Sequence, residues 1–315
     1  MEVIANYSPT PARAGPLRII VPPECAGLRL DQALSRLVPQ YSRTRLAQWV
    51  RTDKIRLDGA AALPRRRVWG GEVIDIVPDA DPLALADRPE DIAISIVHED
   101  DALLVINKPP GLVVHPGRGN WSGTLLNALL GHLPALARLP RAGIVHRLDK
   151  GTSGLLVVAK TLAAQTELVR QLQARDVRRE YLALAHGRIA RSGTIEAPIG
   201  RHPVQRTRMA VVARGRHAIT HYEVLERFPD STLLRCRLET GRTHQIRVHL
   251  RSIGHPLVGD PAYGKRNSAL AFTRQALHAE RLALRHPQTG RVTTWRVAPP
   301  ADLQRLIRTL RKHGA

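Results

Sequence analysis

Asp149 is the residue of this chain best placed to do chemistry. It lies in the run His146-Arg-Leu-Asp-Lys-Gly-Thr-Ser-Gly154, between a short apolar strand expected at 144–145 and a second at 155–159. A carboxylate in a Gly/Thr/Ser turn between two buried strands is fixed in space, which suits a catalytic group better than a solvated one. The bland alternative is a surface aspartate in a turn, and the local pattern alone favours it. Arg147, two positions earlier, would share the face of Asp149 in an extended segment. Arg247 and Arg251 are four apart in a helix expected from Thr243, as N-cap, to about Ile253, with Gly254 closing it. One of them can then point into a pocket while the other meets phosphate. Tyr181, on spacing alone, reads as a core tyrosine at a strand start.

The fourteen histidines invite a metal reading. His244 and His249 are five apart, off the i, i+4 face that a helical zinc pair needs, and no cysteine joins them. His146, His244 and His249 are therefore expected to pack or to form hydrogen bonds, with no metal bound. Cys25 and Cys236, far apart, fit a reduced cytoplasmic protein. No glycine-rich phosphate loop appears, so no nucleotide cofactor is expected. Neither a signal peptide nor an apolar run long enough for a membrane span is present, which points to a soluble, cytoplasmic chain.

Lys and Arg number 48 against 27 Asp and Glu, a formal charge of +21. Such an excess implies a polyanionic partner, most simply nucleic acid. Residues 1–88 contribute only +3 of it and residues 89–315 the remaining +18. The strip 201–251 holds eleven Arg against four acids and is expected to track phosphate. Aromatic residues make up 3% of the chain, too few for a surface built on many stacking rings.

The elements that must position these groups fall into two parts. Residues 1–16 read as a disordered tail and 79–90, with Pro78 just before it and two prolines within, as a linker. Between them, helices are expected at 28–38 and 42–51, the second with Ser42 as N-cap, and short strands at 55–59 and 71–77. Arg43 and Arg45 fall on that second, basic helix. From residue 91 to 315 strands dominate, at 94–97, 103–106, 181–189, 209–213, 218–227, 232–239, 281–285 and 291–297. Helices are expected at 162–175 and 303–311. Many antiparallel-looking strands with few helices give an α+β class on a mixed, mostly antiparallel sheet.

The string HRLDxxTSG resembles the active-site motif of RNA pseudouridine synthases of the RluA family. Four further segments resemble the same family in the same order: 98–109, around Asn107-Lys-Pro109; Arg179-Glu-Tyr-Leu-Ala183; Glu239-Thr-Gly-Arg-Thr-His-Gln-Ile-Arg-Val-His249; and His255-Pro-Leu-Val-Gly-Asp-Pro-Ala-Tyr-Gly264. Residues 17–78 resemble an S4 RNA-binding domain. Together with Arg201-His-Pro, Met209-Ala-Val and Thr220-His-Tyr, that module is most similar to the D type acting on the large ribosomal subunit.

The resemblance implies isomerisation of uridine in RNA, with Asp149 as catalytic carboxylate and Arg247 as the cation that keeps it ionised; Arg242 is the alternative partner. It implies that Tyr181 stacks on the uracil and takes part in proton transfer, and that Arg147 enters the stack beside a flipped uridine. Arg242, Arg251, Arg43 and Arg45 are expected to bind RNA. No metal or other cofactor is implied. The implied partner is 23S ribosomal RNA, at helix 69, or a large-subunit precursor, met by a monomer. Two other readings stand beside it. One is a non-catalytic ribosome-assembly factor, which would not require Asp149, Tyr181 and Arg247 together. The other is an N-glycoside hydrolase, which would need a second carboxylate, and Asp260 is the only remote candidate.

Overall fold

The computed structural model describes residues 16–78, 86–117, 119–265 and 270–313, so residues 1–15 of the expected tail and 79–85 of the expected linker lie outside the described residues. The chain divides into two units, residues 1–85 and 86–315.

In the first unit, β1 (Leu17–Ile20), β2 (Ile55–Leu57), β3 (Ala60–Ala61) and β4 (Val73–Ile76) form an antiparallel sheet in the order β1-β4-β2-β3. Helices α1 (Leu30–Leu37) and α2 (Arg43–Arg51) pack on it through Leu30, Leu34, Leu46 and Trp49, against Ile55, Leu57, Ile74 and Ile76. Ser42 caps α2, its hydroxyl accepting the Arg45 N–H at 3.3 Å.

The second unit is built on a mixed sheet. Its strands are β5 (Ile96–Glu99), β6 (Leu103–Lys108), β7 (Ser153–Ala159), β8 (Arg178–His186), β9 (Gly193–Glu196), β12 (Ile219–Arg227), β13 (Ser231–Leu238), β14 (Leu277–Arg285) and β15 (Val292–Arg296). The order is β5-β6-β7-β14-β8-β13-β12-β9, with β15 beside β14; only β7 and β14 run parallel. A separate hairpin joins β10 (Ile199–Arg201) to β11 (Met209–Val211).

Every residue of β7 is buried because both sheet faces are covered. Leu156 and Val158 pack on the side of α3 (Leu125–His132) and α5 (Gln245–Ser252), whereas Leu155 and Val157 pack towards α4 (Leu162–Ala174). The C-terminal helix α6 (Ala301–His313) covers Leu182 and Leu184 of β8.

Several local expectations differ from the structure; β1, β9 and β10 fall outside every strand expected from the sequence. Residues 144–145 are not a strand: Ile144 makes a single bridge to Val158, because the preceding turn holds Arg141 and Ala142 in left-handed backbone. Helix α3 has no counterpart in the sequence reading. It is apolar on nearly all sides and buried, so no amphipathic stripe marks it.

Candidate active site

The cleft that holds Asp149 is assembled by register across the sheet. Gly154 pairs with Ala279, Ala279 with Tyr181, and Tyr181 with Cys236, so one row crosses β7, β14, β8 and β13. The turn before Gly154 and the side chain of Tyr181 are thereby brought to one place although 32 positions separate Asp149 from Tyr181 in the sequence. Gly154 is required there. Its φ is +111°, and a Cβ would run into the backbone of Ala279.

Each residue of the turn is tied down. The Thr152 N–H closes on the Asp149 carbonyl at 3.0 Å, and the Thr152 hydroxyl accepts from Gln275 at 3.0 Å. Arg274 donates to the Gly151 carbonyl at 3.0 Å, and the Ser153 hydroxyl meets His278 Nδ1 at 3.0 Å. The Lys150 carbonyl accepts from the Gly111 N–H at 2.8 Å and from the Lys108 ammonium at 3.2 Å. The Thr-Ser pair of the motif is therefore a set of buried anchors, and the carboxylate they present is 17% exposed.

Arg247 comes from the first turns of α5, buried, and lies between two carboxylates. Its Nη1 donates to Asp149 Oδ2 at 2.9 Å; its Nε and Nη2 donate to Asp260 at 2.7 and 2.8 Å. Burial would discharge the guanidinium, but the two carboxylates outweigh it and hold Arg247 charged. Asp260 is fully buried; burial alone would raise its pKa, yet Arg247 and the N–H groups of Ala262 and Tyr263 bring it below the usual carboxylate range. Arg242 is not the partner: its Nε donates to the His217 carbonyl at 3.1 Å. Helix α5 also starts later than expected. His244, with a φ of +58°, occupies the N-cap position without a side-chain cap. The Gln245 side chain replaces the expected Thr243 cap by accepting from the Arg242 N–H at 3.0 Å and the Thr240 hydroxyl at 2.8 Å.

Tyr181 is buried, and burial pushes its phenol above the usual range, so it stays protonated at neutral pH. It lines, with Asp149, Arg147, Arg242, His244 and Arg247, a cleft of about 590 Å³. Arg147 is exposed at this cleft and forms no hydrogen bond or ion pair among the described residues. Arg251 is exposed, its guanidinium 5.8 Å from the centre of the Tyr263 ring, whereas Arg247 is 5.0 Å from it. The helical pair thus divides into one inward and one outward arginine.

The three histidines all form hydrogen bonds. His146 accepts the Val157 N–H at 3.2 Å, His249 bridges the Thr220 hydroxyl and the Ala197 carbonyl, and His244 Nδ1 lies 2.8 Å from the Tyr263 hydroxyl. The Nε2 of His244 is 3.8 Å from Asp149 Oδ1. Among the described residues no cluster of His, Cys, Asp or Glu could hold a metal ion.

Lys108 escaped the sequence reading, which ended the strand at residue 106. It is fully buried, donating to the carbonyls of Pro109 and Leu112 at 2.8 and 2.9 Å as well as to Lys150. Burial pushes its pKa down to about 7, against the attraction of Asp149. The apolar run Leu103–Ile106 stops at Asn107, so the sequence carries no direct signal of this burial.

Residues 102–252 match the model of the RNA pseudouridylate synthase family. The chain is 54% identical to ribosomal large subunit pseudouridine synthase D of Nitrosomonas europaea, over 94% of this chain and 88% of that protein. It belongs to the RNA pseudouridylate synthase family. A second relative of the same description, from Pasteurella multocida, is 51% identical over 90% of this chain and 92% of its own length. The structure of human RNA pseudouridylate synthase domain containing 1 superposes with a TM-score of 0.55 at 28% identity, covering 70% of this chain and 96% of that one. The chain is thus an RNA pseudouridine synthase.

In the first unit of the synthase, Arg43 is held by Asp31 at 3.0 and 3.2 Å, and Arg45 lies 5.0 Å from the centre of the Trp49 ring and 5.6 Å from that of Tyr41. Both expected RNA contacts therefore have partners within their own unit. No helix among the described residues is long and apolar enough to cross a membrane.

Proposed function

We propose that the synthase isomerises specific uridines of large-subunit ribosomal RNA, at helix 69 of 23S RNA, in free RNA or in a subunit precursor. The observation that carries this reading is the Asp149–Arg247 ion pair at 2.9 Å in a cleft that Tyr181 lines. The relatives described as ribosomal large subunit pseudouridine synthase D support the choice of RNA.

The N1–C1′ bond of uridine breaks, the uracil turns within the closed cleft, and C5 joins C1′. Asp149 supplies the carboxylate, acting at C1′ or C6. Arg247 occupies Oδ2 and keeps the group ionised as substrate excludes water, which leaves Oδ1 for the substrate. Tyr181, neutral at this depth, stacks on the uracil and relays the C5 proton, giving up its own hydroxyl proton to water as its oxygen takes the new one, while the released N1 takes a proton from water. Flipping a uridine costs a few kcal/mol, and the unpaired Arg147 offsets this by stacking where the base had been. This chemistry needs no metal and no redox cofactor.

The first unit, with two helices on a small sheet, acts as an S4-like RNA-binding module that selects the site; Arg43 and Arg45 present the basic face of α2 while held by their neighbours. Arg242 and Arg251 flank the cleft as phosphate contacts. The protein works as a cytoplasmic monomer. Nucleoside analysis of treated 23S RNA tests the proposal: pseudouridine should appear with an equal loss of uridine and no free uracil. Free uracil would mean hydrolysis, and an unchanged composition in both RNA and subunits would favour an assembly factor.

A further inference from the structure

Arg247 offers two distinct edges, and the two carboxylates do not share them equally. Asp260 takes the paired edge, with Nε on Oδ2 at 2.7 Å and Nη2 on Oδ1 at 2.8 Å. Asp149 receives a single bond, from Nη1 to Oδ2 at 2.9 Å, and its Oδ1 accepts no hydrogen bond among the described residues. Two-pronged pairing is what a guanidinium and a carboxylate adopt when nothing prevents it. Here Asp260 sets the plane and direction of the guanidinium, and in that setting only Nη1 reaches Asp149. Asp260 is fixed for the purpose, since its Oδ1 also accepts the N–H groups of Ala262 and Tyr263 at 2.9 and 3.0 Å, and its side chain is fully buried.

We propose that Asp260 is a positioning residue for the reaction: by holding the Nε–Nη2 edge of Arg247 it fixes the guanidinium so that only Nη1 meets Asp149, which keeps Oδ1 open to the substrate. It acts through Arg247 and does not touch the uridine. The inference rests on the pseudouridine-forming reading of the site. It also gives a role to the second carboxylate that a hydrolase would have used to activate water. Asp260 is unsuited to that, because both of its oxygens are taken by Arg247.

The test is the single-turnover rate of pseudouridine formation as a function of pH, for the full-length wild type and for Asp260→Asn. The amide places an N–H donor opposite Nε, so the guanidinium is no longer held and can turn both of its Nη groups to Asp149. A negative charge is also removed from the site. Both changes strengthen the positive field at the carboxylate that pairs with Arg247, so the acid limb of the profile should move to lower pH. The maximal rate should fall at least about tenfold, because Oδ1 is now engaged. RNA affinity should stay within about twofold, since phosphate contacts set it. The other ionisable groups facing the trio are Lys108, Arg147, Tyr181, His244, Arg251, Tyr263 and Arg274. All are retained, so the shift reports on Asp260.

A profile and rate equal to wild type would overturn the proposal, as would a lower rate with the limb unmoved. A limb moved to higher pH would mean that Arg247 had left Asp149, which also overturns it. If Asp260→Asn does not fold, Asp260→Glu takes its place, keeping the charge but displacing the carboxylate by one methylene. Its acid limb should stay put while the rate falls at least about fivefold; a wild-type rate would contradict the proposal. In each case pseudouridine formation by the wild type is measured alongside. Its absence would sink the functional reading itself, not the role of Asp260 alone.

Discussion

At the scale of single residues, the site depends on charges kept in place by more partners than charge balance alone requires. Arg247 illustrates this. Lysine has a point charge and cannot span Asp149 and Asp260 as the planar guanidinium does. Arg247→Lys should therefore lower turnover by about 10²-fold while leaving RNA affinity near wild type, as read by single-turnover kinetics and filter binding. Lys108 makes a different prediction. Unfolded, it keeps its proton up to its ordinary value of 10.5; folded, burial pushes that down to about 7. Between those values the unfolded chain binds more protons, so the wild type gains stability as pH rises through this window and loses it as pH falls towards 7. Urea unfolding at pH 7 and pH 10 should show this rise in wild type relative to Lys108→Met. Equal pH slopes for the two proteins would contradict it. Asp149, Tyr181 and Arg147 were legible in the sequence through the family motifs. Lys108 was not, because a lysine before two prolines reads as a residue leaving a strand, and only the three carbonyls around it reveal its burial.

At the scale of elements, β7 and its preceding turn carry the site, and Gly154 is where they are most constrained. Gly154→Ala adds a methyl against the Ala279 backbone at a positive φ, so it should destabilise the second unit by more than about 1 kcal/mol and part β7 from β14. Thermal unfolding together with hydrogen exchange along β7 would register it. Helix α5 is anchored from its other side. The Thr220 hydroxyl meets Gln245 Nε2 at 3.0 Å and His249 Nδ1 at 2.9 Å, in a fully buried position. Thr220→Val should orphan His249 Nδ1 and leave Gln245 Nε2 with the Ile219 carbonyl at 2.9 Å, at a cost of about 1–3 kcal/mol for the buried group left unpaired, measured by urea unfolding. The strands of the mixed sheet other than β9, and helices α1, α2, α4 and α6, were legible because their apolar residues recur with a period. Helix α3 was hidden by burial on nearly every side. The start of α5 was misplaced because its N-terminal turn is held by the Gln245 side chain, a contact that spacing does not announce.

At the scale of the whole molecule, charge is the dominant property. The second unit carries most of the net positive charge, and its strip from 201 to 251 includes the exposed Arg206, Arg214 and Arg216 around β11. Binding to RNA should weaken steeply with salt, and log K should fall linearly with log salt. Removing residues 1–85 should weaken or misdirect RNA binding more than it slows conversion of RNA already bound, because Asp149, Tyr181 and Arg247 all lie in the other unit. Salt-series binding and site mapping on the shortened protein check this; unchanged affinity and an unchanged modification site would remove the first unit from target selection. That a polyanion is bound was legible from composition, whereas the path of the RNA was not, since exposed arginines have no periodic signature. The central claim is that Asp149 performs an isomerisation, and the most direct measurement is release of tritium from C5-labelled uridine in 23S RNA by wild type and by Asp149→Asn. Release by wild type, none by the variant, and no free uracil from either is the expected result. Release by the variant at the wild-type rate would contradict it.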